Sequence, residues 1–224
     1  MGANVKIAPA SGLRSTTGEE IANAITHGVG AVLSLAGLVV MVALAALHSG
    51  VWQVIGCSIY ASSLLILYLI STLYHSLTHA GAKRVFQILD HCSIFLFIAG
   101  SYTPFLLVNL HGGWGWSLLG IVWGIAVLGI IFKILYIGRD EIVSVIVYIT
   151  MGWLILVAIK PLMEHITHQG LDLLVAGGLF YTIGVVFYAL EKLPYNHSVW
   201  HIYVMAGSAC HYFAILYAVL PARI

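Results

Sequence analysis

His197 and His201 stand four residues apart, so on a helix both imidazoles lie on one face. That spacing suits two nitrogens on one metal ion. Ser198, Val199 and Trp200 lie between them, and with no glutamate there the pair is not an H-E-x-x-H protease helix. His75, Ser71 and Asp90 occur elsewhere, also within apolar runs. An ionisable group in such a run needs a reason. Three neutral imidazoles with a fourth position open make a catalytic zinc arrangement. A carboxylate beside it, Asp90, would hold a water or take its proton. The competing reading is that these histidines hydrogen-bond to neighbouring helices and glue them together.

The elements that must position these residues follow from composition. The chain has 224 residues, 61% hydrophobic and 8% charged, with a mean hydropathy of +1.03. An ordinary soluble domain carries roughly 25% charged residues. So much apolar surface does not fit into one soluble core. Disorder needs the opposite composition. A net charge of +1 without a basic cluster excludes a nucleic-acid binder. Cys57, Cys92 and Cys210 stand far apart, which indicates neither a disulfide framework nor a thiolate metal site. The expected fold class is all-α: a polytopic membrane protein with a seven-transmembrane helix bundle. The spans are expected over about 20–46, 52–77, 84–108, 114–136, 142–160, 171–190 and 195–220. The breaks are His48 to Gly50, Thr78 to Gly81, Asn109 to Gly113, Gly138 to Asp140, Glu164 to Gly170 and Glu191 to Pro194. Residues 1–18 read as a cytoplasmic tail, and residues 19–224 as a single membrane domain. The first apolar run is too long for a signal peptide.

Charge orients the bundle. Lys6, Arg14, Lys83, Arg84, Lys133, Arg139 and Lys192 fall on one side, and Lys160 and Arg223 on the other. That bias places the N-terminus in the cytoplasm and the C-terminus outside. Asp90 then lies roughly 9 Å into its span, and His197 and His201 roughly 3–9 Å into theirs. His75 and His27 lie near the same cytoplasmic surface. Four spans therefore bring titratable groups into one slab. The opposite leaflet holds only His211 and the loop residues His48, His111, His165 and His168.

Other residues read as structural. His91 points about 100° away from Asp90 on a helix and suits packing. His211 also suits packing, and Glu164, His165 and His168 a solvated loop. Tyr102-Thr103-Pro104 is expected to end or kink span three. Trp114 and Trp116 suit interface anchors. Gly28, Gly30 and Gly37 suit helix contacts.

Taken together, the motifs are Glu20-x-x-Asn23-x-x-Thr26-His27, Ser71-x-x-x-His75, Leu89-Asp90-His91, Tyr102-Thr103-Pro104-Phe105 and Asn196-His197-x-x-x-His201 with His211. In that order the chain resembles the bacterial hemolysin III proteins, a branch of the progestin and adipoQ receptor family. The resemblance covers essentially the whole chain. It implies seven helices with a cytoplasmic N-terminus in the bacterial inner (plasma) membrane. It also implies zinc on His75, His197 and His201, with Asp90 near a zinc-bound water. Receptor members are linked to ceramidase-like hydrolysis of lipid amides. The short tail and the lack of an outer domain keep the receptor role from carrying over.

Three functions compete. One is an intramembrane zinc hydrolase of lipid amides or esters, with Asp90 as base and Ser71 on the water or the oxyanion. Its partners would be membrane lipids. Another is a membrane sensor or structural protein with a structural zinc, closed by Asp90 as fourth ligand. The last is a cytolysin or pore-former, as the family name implies, although no amphipathic pore segment is visible. The charge bias yields a direct prediction: a reporter fused after Ile224 reports the outer side of the membrane, and cytoplasmic signal there contradicts the count of spans.

Overall fold

The computed structural model describes residues 15–136 and 141–220. Most of the expected tail, the break at Gly138 to Asp140, and Lys6, Arg14, Arg139 and Arg223 lie outside the described residues. The elements are helices α1 (Thr17–His48), α2 (Val51–Ser76), α3 (Ala80–Leu107), α4 (Gly113–Tyr136) and α5 (Glu141–Gly152). A 3-10 stretch (Leu154–Ala158) and helices α6 (Ile159–His165), α7 (His168–Ala189) and α8 (Asn196–Ala218) follow. No strand occurs among the described residues. Among the described residues, seven helices are long and apolar enough to cross a membrane, with α5, the 3-10 stretch and α6 together forming the fifth. Their outward faces carry exposed Val, Ile and Leu, such as Val32, Leu128 and Ile142. Outward apolar faces are what lipid contact requires.

Helix α1 begins with a capping box. The Thr16 hydroxyl accepts from Glu19 N at 3.2 Å, and the Glu19 carboxylate accepts from Thr16 N at 2.8 Å. Helices α1, α2 and α8 share one core, which includes Met41, Tyr60, Leu64, Tyr68 and Ile215. Helices α3 and α4 and the fifth span share a second, around Phe95, Tyr102, Val122 and Leu162. The glycines expected at contacts are there. A Cβ on Gly30 would lie 2.9 Å from the Tyr68 ring, and one on Gly37 would lie 2.9 Å from Tyr212. Gly28 faces Thr72. Small residues at these points let α1 approach its neighbours. Trp116 stacks edge-on to Trp52 at 5.6 Å, and Trp114 and Trp116 are half-exposed, which fits interface anchors.

Two expectations need correcting. The fifth span does not stop at residue 160 but continues to His165. Pro161 sits in the first turn of α6, where its missing N–H costs nothing, and exposed Lys160 can reach the interface. Glu164 and His165 are therefore helical, and only Ile166 and Thr167 separate α6 from α7. Glu164, His165 and His168 are all exposed, as expected. Of the two outcomes expected at Pro104, an end or a kink, the end is overturned, because α3 runs on to Leu107 with Pro104 inside it. Instead, Tyr102 on that turn repairs the break in the fifth span. Its hydroxyl faces the carbonyls of Met151 and Gly152 at 2.8 and 2.7 Å and accepts from Ile155 N at 3.0 Å. Backbone groups freed at membrane depth need such partners. Replacing Tyr102 with Phe should lower stability by about 1–2 kcal/mol. Thermal unfolding in detergent measures this, and an unchanged midpoint would show that the hydroxyl is dispensable.

Candidate metal centre

The first turn of α1, the last turns of α2, the early turns of α3 and the start of α8 meet at one end of the bundle. The donor atoms of His75, His197 and His201 there lie within 4.8 Å of one another. His75 is 6% exposed and His201 fully buried. The ring centres are 5.1 Å apart for His75 and His197, 5.2 Å for His75 and His201, and 4.6 Å for His197 and His201. The i, i+4 pair on α8 supplies two rings, and the last turn of α2 supplies the third.

Two of the three rings are held from behind. His75 Nδ1 lies 2.9 Å from the Glu20 carboxylate, which also pairs with Lys83 Nζ at 3.0 Å. Lys83 in turn donates to the carbonyls of Tyr74 and Leu77 at 3.3 Å, which ties the α2–α3 turn to α1. His201 Nδ1 lies 3.2 Å from the Thr26 hydroxyl. That hydroxyl donates to the carbonyls of Ala22 and Asn23 at 2.9 Å, so it accepts from His201. Both rings then carry their protons on Nδ1 and present a bare Nε2 lone pair. The Nε2 atoms of His75, His197 and His201 are buried without a hydrogen-bond partner. Buried polar atoms are ordinarily satisfied, so three together point to a missing partner. Neutral imidazoles oriented by a carboxylate and a hydroxyl, with free nitrogens converging, are the donor set a divalent metal takes. The residues fit such an ion.

Ser71 and Asp90 lie beside the three rings and line one cavity with His27. Asp90 is 6% exposed and Ser71 1%. The Ser71 hydroxyl lies 2.7 Å from His27 Nδ1, and Asp90 shares the same cavity wall. Asp90 does not join the set of mutually close donors, so it stands next to the rings rather than among them. The cavity measures about 160 Å³ and runs from these polar groups past Leu67, Phe97, Phe105 and Val204 to His211. His211 lies 3.2 Å from the Leu174 carbonyl and packs edge-on to Tyr181, the structural role expected of it. His91 lines a small adjoining pocket with Asp90 and His197.

Two partners escaped the sequence reading. Glu20 was visible only as part of a motif, and Lys83 only as a charge. The available signal was the polar series Glu20, Asn23 and His27, spaced i, i+3, i+7 on an otherwise apolar helix. The same face bonds α8, because Ser198 donates to Asn23 Oδ1 at 2.5 Å. Neighbouring Glu19 accepts from Tyr195 N at 3.0 Å. Tyr195 has a φ of 57°, a left-handed conformation costly for a bulky residue, and it opens the helix that carries His197.

Seven membrane-crossing helices around a buried three-histidine cluster define the class: an integral membrane protein with a candidate metal centre at one end of its bundle. Comparison with known proteins gives the family. The family model described as haemolysin-III related matches residues 15–212, and the chain belongs to that family. It is 51% identical to "Hemolysin-3" of Bacillus cereus over 203 residues, 91% of this chain and 93% of the relative. It is 46% identical to "Hemolysin-3 homolog" of Bacillus subtilis (strain 168), covering 90% and 95% of the two chains. Human "Monocyte to macrophage differentiation factor" is 31% identical, covering 93% and 88%.

The Glu20 contact makes a prediction. Glu20→Gln keeps the shape but weakens the hold on His75, and metal affinity should fall about 10–100-fold. Competition with a chelator of known affinity measures this, and unchanged affinity would leave Glu20 with only its Lys83 pairing.

Proposed function

We propose that this protein is a metal-dependent intramembrane hydrolase of lipid amides or esters. Zinc would be held by His75, His197 and His201. The observation that carries the reading is that three unpartnered imidazole nitrogens cluster next to Asp90 and Ser71, which with His27 line an apolar cavity of about 160 Å³. A zinc ion there would polarise a carbonyl oxygen and acidify water. The apolar walls would take an acyl chain of a membrane lipid and bring its carbonyl to Asp90. Asp90 would take a proton from the attacking water and pass it to the leaving amine or alcohol. The bond from water oxygen to acyl carbon forms as the acyl–nitrogen or acyl–oxygen bond breaks. Ser71, on the same cavity wall, would hydrogen-bond the water or the developing oxyanion. The apolar cavity wall argues against a conducting pore. The charges of Lys83, Arg84 and Lys192 support placing this end of the bundle at the cytoplasmic face of a bacterial plasma membrane, with the N-terminus inside and the C-terminus outside.

The experiment is metal analysis and a lipid-hydrolysis screen on the purified chain in lipid nanodiscs. Wild type should carry one zinc per chain. His197→Ala should lose it, while His165→Ala, at an exposed position, should keep it. Asp90→Asn should retain zinc and lose about 100-fold or more in turnover. Full zinc in a triple His75, His197, His201 to Ala protein would refute the site. Full zinc with no hydrolysis of ceramides, phospholipids or acyl esters would favour a structural or sensory centre.

A further inference from the structure

We infer that His27 is a fourth histidine of the centre, not a ligand, whose Nε2 receives a hydrogen bond from the attacking water. The inference rests on the metal-dependent reading above and adds a residue to it. His27 is 2% exposed and sits in the polar series on α1. Its ring is clamped between two others. Tyr68 meets it edge-on at 5.0 Å, and His201 stacks on it at 3.4 Å with the planes only 11° apart.

The hydrogen-bond chain fixes which nitrogen carries the proton. Asp90 shares the cavity wall with Ser71, and its carboxylate, which can only accept, is the group toward which the Ser71 hydroxyl turns its hydrogen. Ser71 Oγ then accepts from His27 Nδ1 across 2.7 Å. Nδ1 therefore bears the hydrogen, and Nε2 is a bare acceptor. That Nε2 is buried and has no hydrogen-bond partner in the protein. In this it matches the Nε2 atoms of His75, His197 and His201 at the same end of the bundle. An acceptor left unmade in a dry site is costly, so something not of the chain satisfies it.

Direct ligation is not that something. An imidazole gives its lone pair in the plane of its own ring. Two parallel rings stacked 3.4 Å apart aim their lone pairs along separate planes and do not meet at one ion. His27 is accordingly outside the set of mutually close donors. What lies within reach of a ring stacked on His201 is the molecule next to the ion on its open side. The His27 ring also lines the cavity that would admit the substrate, together with Ser71 and Asp90. The attacking water is then held from two directions, by Asp90 and by His27. Ser71 joins the two acceptors so that they move together.

The test uses the full-length protein in nanodiscs with cobalt(II) as a visible probe of the centre and azide as a competitor for the open position. His27→Phe keeps an aromatic ring between Tyr68 and His201 but removes both nitrogens. It should bind one cobalt(II) with affinity within about threefold of wild type, because the ligands are intact. Its visible bands should shift, and azide should bind about tenfold more tightly, because the displaced water has lost an acceptor. Bands and azide affinity identical to wild type would reduce His27 to packing and overturn the inference. A loss of cobalt affinity of about 100-fold would overturn it by making His27 a ligand. Wild-type protein that takes up no cobalt at all would sink the metal reading itself, a failure distinct from either. A measurement without substitution stands beside these. In wild-type protein with isotope-labelled histidine, nitrogen NMR should show His27 protonated on Nδ1, and a proton on Nε2 would overturn the assignment.

Discussion

A lone pair on a buried imidazole has no water to turn to, and inside a bundle of apolar helices every such nitrogen must find a partner. That constraint organises the centre. His75 and His201 each direct one nitrogen to a group on α1, Glu20 or Thr26, and leave the other facing their neighbours. The result is a set of donors that satisfy one another poorly and a cation well. Without an ion the packing of α1, α2 and α8 would be working against itself. With one, the same packing becomes a reason for the helices to stay together, since binding free energy is then folding free energy.

Much of this was legible in the chain. The count of spans followed from length and hydropathy, and the convergence of His75, Asp90, His197 and His201 followed from their depth once the spans were oriented. Depth is a one-dimensional quantity, however. It says which residues share a slab and not which share a side. Whether His27 would face His201 or lipid depended on how α1 rotates against α8. That rotation is set by close approaches such as Gly30 against Tyr68 and Gly37 against Tyr212. Glu20 was missed for a related reason: a carboxylate in the first turn of a helix reads as a partner for the helix dipole. Only the fold shows that it also reaches His75 and Lys83.

The fifth span shows the limit of hydropathy from another direction. Hydropathy puts its end near residue 160, yet the helix changes pitch over Leu154–Ala158 and goes on to His165. The discontinuity is tolerated because a tyrosine on α3 takes up the backbone groups that the pitch change frees. Irregular backbone is found here where it adjoins a cavity rather than lipid, as Gly152, Ile155 and Leu156 are part of that cavity's wall.

Glu19 and Glu20 are adjacent, so they point about 100° apart on α1. One holds the backbone at the start of α8, and the other holds His75 and the α2–α3 turn. With Thr16 capping the helix, everything the centre needs from α1 begins at that residue. An insertion or deletion of a single residue between Glu20 and His27 would rotate both glutamates about 100° away from their partners at once. The rotation of that one helical turn is thus shared with α2, α3 and α8 through two adjacent side chains.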